Sequence, residues 1–277
     1  MSIDLLTHDD LQSGRGSVWS YLSPSRLNCW LSCPLKWKLR YVDGIKTPTT
    51  PSLFVGKRVH AGLEVHYRHR MLGVTLMPSD VVARMDDTWD QAVAEEEMTF
   101  GSSSEEADVK NQTANLVRAY LEQVPADEKP LAVEATMEVP LVDPVTGEDL
   151  GIPMLGIADL VLDGDEGPLV VDFKTSSRSA APIEVTHEIQ LTSYGYLFRR
   201  TTGQNEVGLE IRSLVKTKIP KIEVHRYPAR SEAHFRRLFA VIREYLDALD
   251  AGRFNFRPTW GCSMCEFTDS HCRLWSG

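Results

Sequence analysis

The chain has 277 residues, of which 42% are hydrophobic and 25% charged, with a formal net charge of −9. That composition fits one large globular domain or a core domain with a helical addition, and no stretch reaches the ~18 apolar residues of a membrane helix. Asp4, Asp9 and Asp10 stand where a signal peptide would have a basic start and an apolar core, so none is expected. The five cysteines, an odd number, point to a reducing cytoplasm (bacterial, or a host's if the chain is phage-encoded) and to ligands rather than disulfides.

Residues 23–41 read as a helix with Ser23 as N-cap and Pro24 at its first position, restarted at Pro34 so that Cys33 falls at the irregularity. Residues 54–71 form a second amphipathic helix with Leu53, Val59, Leu63 and Tyr67 on one face. Helices over 80–98 and 105–124 follow, separated by Gly101-Ser102-Ser103-Ser104. Strands are expected over 132–142, 155–162 and 169–173, a helix over 187–200, strands over 206–216 and 221–227, and a helix over 231–249 between Ser231 and Gly252. The order βββαββ, flanked by helices, predicts a mixed sheet of α/β or α+β type.

Net charge argues mildly against general nucleic-acid binding, but the average conceals an asymmetry. Residues 20–75 hold nine Lys and Arg against Asp43 and Glu64, whereas residues 80–110 hold ten acids against Arg84 and Lys110. A local basic face can hold phosphates despite an acidic total; a pair of solvated helices of opposite sign is the plainer alternative.

The densest chemistry lies at Gly156-Ile157-Ala158-Asp159 and Asp172-Phe173-Lys174-Thr175. The apolar run 169–173 is broken only by Asp172, and a carboxylate on a buried strand needs a partner, a metal or a proton. A turn at 163–167 would fold the two strands into a hairpin and bring Asp159 and Asp172 to one end of the sheet. Two carboxylates can hold a divalent ion beside a phosphodiester, and Lys174 adds a point charge near the attacked phosphorus.

Other residues add to that centre. His60 and Glu64 share a helix face and could reach one metal, although a lone helical histidine is commonly structural; Gln190 and Tyr194 share a face in the same way. Glu134, in an apolar strand start, is either a surface residue or an accessory metal carboxylate. Cys262-x-x-Cys265 with Cys272 supplies three thiolates for one ion or cluster. His271 could complete a zinc site, or a distant cysteine, Cys29 or Cys33, an iron–sulfur cluster.

Together these segments resemble the PD-(D/E)XK nuclease superfamily, and most nearly its RecB-like branch with an iron–sulfur cluster, which includes the AddB nuclease module and the fourth CRISPR-associated (Cas) exonuclease family. The matching segments, in the family's order, are Ser23-Pro24-Ser25-Arg26-Leu27 with Cys33-Pro34-Leu35-Lys36-Trp37 and Tyr41, Gly56-x-x-x-His60, Gly156-Ile157-Ala158-Asp159, Asp172-Phe173-Lys174-Thr175, Gln190-Leu191-Thr192-Ser193-Tyr194 and the C-terminal cysteines. Ala158 departs from the Arg or Lys that often precedes the first catalytic aspartate, which weakens a phosphate contact and leaves the metal ligands intact.

The resemblance implies a restriction-endonuclease-like core, with one domain over 1–277 divided into a helical region at 20–130, a catalytic sheet at 131–228, and a helix with a cysteine-rich loop at 229–277. It implies Mg²⁺ or Mn²⁺ on His60, Asp159, Asp172 and the Phe173 carbonyl, with Lys174 positioning or deprotonating the water. Gln190 and Tyr194 would orient their helix and contact the DNA strand. Cys33, Cys262, Cys265 and Cys272 would ligate a [4Fe-4S] cluster that clasps the chain ends, leaving Cys29 spare. The implied activity is exonucleolytic hydrolysis of single-stranded DNA or DNA ends in recombination, repair or phage DNA processing. The competing reading is a DNA-end-binding module of a helicase–nuclease or CRISPR-adaptation complex with weak catalysis of its own.

Overall fold

The computed structural model describes residues 18–179 and 184–275, of which 184–186 are described by backbone alone. The outermost parts of the domain expected over 1–277 therefore lie outside the described residues. Helix α1 (Pro24–Ser32) starts at Ser23, whose hydroxyl accepts the Arg26 N–H at 3.2 Å. Cys33 is extended, at φ −164° and ψ 113°, because a residue before proline is pushed out of the helical region, and α2 (Pro34–Tyr41) restarts immediately.

Helix α3 (Pro51–Met71) begins earlier than expected, at the Thr50 cap. Val59, Leu63 and Tyr67 are buried on it, but Leu53 is 53% exposed: six residues before Val59, it lies on another side of the helix. The helix expected over 80–98 is two, α4 (Pro78–Asp87) and α5 (Trp89–Glu95). Thr88 breaks it, its hydroxyl bonding back to the Arg84 carbonyl at 3.1 Å and accepting from Arg58 at 2.8 Å. Helix α6 (Ser103–Leu121) completes the group.

Five strands form one sheet in the order of the chain: β1 (Pro130–Val142), β2 (Asp149–Gly164), β3 (Gly167–Ser176), β4 (Gly208–Val215) and β5 (Lys221–Pro228). All neighbours are antiparallel except β3 and β4, which run parallel because α7 (Glu184–Thr202) crosses between them. Helix α8 (Glu232–Asp250) follows, stopping before Gly252 at φ 63°. One face of the sheet packs on α1, α2, α7 and α8 through residues such as Leu27, Trp37, Leu197 and Phe239. The other packs on α3 to α6 through Phe54, Tyr67, Met85, Trp89 and Val117. The sheet is mixed and covered by helices on both faces, as the residue pattern predicted.

The pleat of β1 and β2 is interrupted at one point. Leu160 and Leu162 lie in the α3-side core, whereas Ala158 and Met154, of the same parity, lie in the other. On β1, Val133 and Met137 divide in the same way, around Glu134 at φ 50°. Register places Val133 against Leu160 and Ala135 against Ala158, so Glu134 and Asp159 stand opposite each other at the break.

Much of the basic excess of residues 20–75 is engaged within the chain. Lys36 and Arg40 pair with Glu266, Lys38 with Asp43, Lys57 with Glu96 and Arg68 with Glu64, while Arg58 is buried against the Met85 carbonyl. The Glu266 pairs, with Leu35, Leu39 and Phe267 packed beside Cys33, Cys265 and Cys272, tie α2 to the C-terminal segment.

Candidate active site

Three elements converge at the pleat break. Register carries Asp159 to a place opposite Asp172, one step beyond the last ladder pair, Leu160 with Val171. Asp159 Oδ2 accepts the Phe173 N–H at 2.6 Å, which fixes the carboxylate against the neighbouring strand. Helix α3 delivers His60, whose Nδ1 lies 3.4 Å from Asp159 Oδ1 and whose ring meets Phe173 edge-on. Two glycines permit the close approach. A Cβ on Gly56, one turn before His60, would meet Thr175 Oγ1 at 3.2 Å, and one on Gly156 would meet Leu197 Cδ1 of α7 at 2.5 Å.

Among the described residues, His60, Glu134 and Asp159 form a group whose ligand atoms all lie within 4.8 Å of one another. Burial opposes the charge on His60, but the hydrogen bond and charge of Asp159, with Asp172 and Glu134, push its pKa up to about 8. Burial, and then Asp159 and Glu64, push Glu134 up to about 8. Carboxylates directly opposed across a strand pair repel, and the left-handed backbone at Glu134 adds local strain of the kind that collects at functional sites. An imidazole with two carboxylates is a donor set for a divalent cation, which would relieve the repulsion. Glu134 thus takes the place beside His60 that helical spacing offered to Glu64, whose carboxylate instead accepts from Arg68 at 2.6 Å.

Asp172 borders this group and is held from two sides. Gln190 Nε2 donates to Oδ1 at 2.9 Å and Lys174 Nζ lies 2.7 Å from Oδ2, although no aligned hydrogen bond reaches that buried oxygen. Burial raises the Asp172 pKa to about 6 against the opposing pull of Lys174. Gln190 also donates to the Tyr194 hydroxyl at 3.0 Å. Tyr194 is only 7% exposed and faces inward: it braces Gln190, which braces Asp172. Beneath the site, Tyr67 stacks on Phe173 and is hydrogen-bonded to Tyr120, whose hydroxyl accepts from buried Arg212 at 2.6 Å. This support was not foreseen; its partners come from four separate elements.

The group opens into a cleft of about 1130 Å³ lined by His60, Glu134, Phe173 and Lys174, together with Lys57, Glu64, Arg68 and Glu96. Away from it, the Arg257 N–H donates to Cys33 Sγ and the Thr259 N–H to Cys262 Sγ, each at 3.4 Å. Cys33, Cys265 and Cys272 pack against the same small apolar cluster, and burial followed by the charges of Cys33, Cys265 and Cys262 raises the Cys272 pKa. Cys29 lies in the main core, and His271 Nδ1 is hydrogen-bonded to Ser270.

An acidic, lysine-bearing centre at the pleat break of a mixed sheet has the donor types that phosphodiester hydrolysis needs, and sequence comparison names the class. The profile of the PD-(D/E)XK nuclease superfamily matches residues 21–273. The chain belongs to this superfamily and is a nuclease, a hydrolase. A crystal structure described as a "Putative exonuclease" from Eubacterium rectale has the same fold, with a TM-score of 0.63 and 14% identity over 96% of this chain and 93% of that one. A second crystal structure, of SSO0001, aligns with a TM-score of 0.37 at 15% identity over 86% of this chain and 93% of that one. No curated protein matches the sequence. No helix among the described residues is long and apolar enough to cross a membrane.

Proposed function

We propose that the chain is a divalent-metal-dependent DNA exonuclease of the RecB-like branch, acting on single strands or DNA ends in recombination, repair or phage DNA processing. The carrying observation is the His60–Glu134–Asp159 group beside Lys174 in an open cleft. His60, Glu134 and Asp159 would hold Mg²⁺ or Mn²⁺, with Asp172 and the Phe173 carbonyl as the further ligands the family pattern implies. A metal bound there supplies Lewis acidity and lowers the pKa of water. The chain's own residues do the rest. The Phe173 N–H orients Asp159, Gln190 orients Asp172, and Lys174 Nζ, paired with Asp172, positions the attacking water and offsets charge on the phosphate.

The same reading places a structural [4Fe-4S] cluster on Cys33, Cys262, Cys265 and Cys272. Cys33 packed beside Cys265 and Cys272 supports it, as do two N–H groups directed at Cys33 and Cys262. Joining residues so distant in sequence would constrain the unfolded chain and order the C-terminal segment over the core. Anaerobically purified protein should be brown and contain iron and sulfide; colourless protein with stoichiometric zinc would remove the cluster from the reading.

The function is tested with end-labelled single-stranded DNA, each terminus blocked in turn, with and without Mn²⁺. Shortening from one end, lost in folded Asp172→Ala and Lys174→Ala proteins, is expected. Undiminished metal-dependent digestion by either variant would sink the assignment.

A further inference from the structure

Two cations face the cleft from α3 and each is paired with a glutamate. Lys57 pairs with Glu96, which also accepts from Thr49, and Arg68 pairs with Glu64. All four line the same cleft as His60 and Lys174. Lys57, Glu64 and Arg68 recur at helical spacing, so they form one stripe with His60 beside it. Side-chain exposures of 47% for Lys57 and 49% for Arg68 leave both heads in solvent. Ion pairs so exposed contribute little to stability, and a phosphate can replace either carboxylate at small cost.

We propose that Lys57 and Arg68 are strand-binding residues that hold backbone phosphates on either side of the scissile bond, and that Glu96 and Glu64 occupy them until the strand arrives. The inference rests on the nuclease reading of this cleft and adds to it the path of the strand, along α3. Helical rise of about 1.5 Å per residue puts Lys57 and Arg68 roughly 16 Å apart along the axis, with His60 between them. That length matches several nucleotides of a strand that rises about 3.4 Å or more per nucleotide. The glutamates give the path a threshold. Carboxylates seated on the cleft's cations offset their charge and make binding depend on several phosphates engaging together. A mononucleotide would displace one pair; a strand displaces both.

The test measures binding of a short fluorescent oligothymidylate by anisotropy across a salt series, in an Asp172→Asn background so that the strand is not consumed. Lys57→Gln and Arg68→Gln should each weaken binding and reduce the slope of log affinity against log salt by ~0.7, the value for one phosphate contact on a single strand. Glu96→Gln and Glu64→Gln should act in the opposite direction, tightening binding about two- to fivefold, as expected for an exposed ion pair released. A merely structural role predicts no opposite signs. The proposal is overturned if the lysine and arginine variants keep the parent slope, or if the glutamine variants at 64 and 96 weaken binding. Cleavage of the same oligonucleotide by the unsubstituted protein is measured in parallel. Cleavage with unmoved slopes overturns the strand path alone; predicted slopes without cleavage retain the path and overturn the nuclease chemistry.

Discussion

The Asp159 carboxylate accepts the backbone N–H of Phe173 at 2.6 Å, so the strand that presents Asp172 and Lys174 also fixes the carboxylate opposite them. A hydrogen bond from backbone leaves the other oxygen, Oδ1, turned to His60 at 3.4 Å. Asp159→Asn keeps an acceptor for the Phe173 N–H but removes the charge. Hydrolysis should therefore fall on the order of 10²–10³-fold, the usual loss for one electrostatic contributor, with melting temperature little changed. Single-turnover cleavage and thermal melting of the same preparation check both halves.

Glu134 combines a left-handed backbone at φ 50° with a carboxyl pushed up to about 8. A folded-state pKa raised above the unfolded value means that the ionised form is penalised on folding at all pH above the ordinary carboxylate range. Glu134→Gln should thus raise the melting temperature of metal-free protein at neutral pH. It should also weaken divalent-metal binding about 10- to 100-fold. Calorimetric titration with Mn²⁺ and a metal-free melt read the two opposite effects.

Metal binding should be pH-dependent with a definite sign. His60 and Glu134 each hold a proton until about pH 8. In the metal-free protein, the favourable contribution of protonated His60 is present below the ordinary histidine range and is lost as pH rises through about 8. A cation requires both groups deprotonated, so apparent affinity should rise with pH by up to about 100-fold per unit between about 6 and 8 and level off above 8. Proton release measured in buffers of different ionisation enthalpy gives the number displaced; pH-independent affinity would contradict the assignment of both ligands.

Gly156 lets α7 approach β2, since an added Cβ would lie 2.5 Å from Leu197 Cδ1. Gly156→Ala should destabilise the fold by about 1–3 kcal/mol, the usual cost of overpacking. It should also slow hydrolysis, because α7 carries Gln190 to Asp172. Combined with Leu197→Ala, the loss should be smaller than the sum of the two single losses, measured by denaturant unfolding and by cleavage rate in a double-mutant cycle.

The elements were largely legible because their signals are local. Ser23 and Pro24, the proline after Cys33, and Ser231 with Gly252 mark helix limits by backbone chemistry that needs no tertiary partner. Thr88 was not legible as a break, since its effect depends on Arg58 arriving from another helix. Tyr194 illustrates the same limit at the site: helical spacing with Gln190 is visible in the sequence, but whether the face points to DNA or inward is not.

By itself the sequence determined the class of centre, two carboxylates and a lysine on adjacent strands with a histidine helix before them, because residue types and spacing define that pattern. It left Glu134 undecided and offered His60 a carboxylate neighbour, Glu64, on its own helix. Only the tertiary structure decided that Glu134 faces Asp159, because cross-strand register and a break in pleating are set by the two cores packing on opposite faces of the sheet, and neither leaves a mark at residue 134 itself.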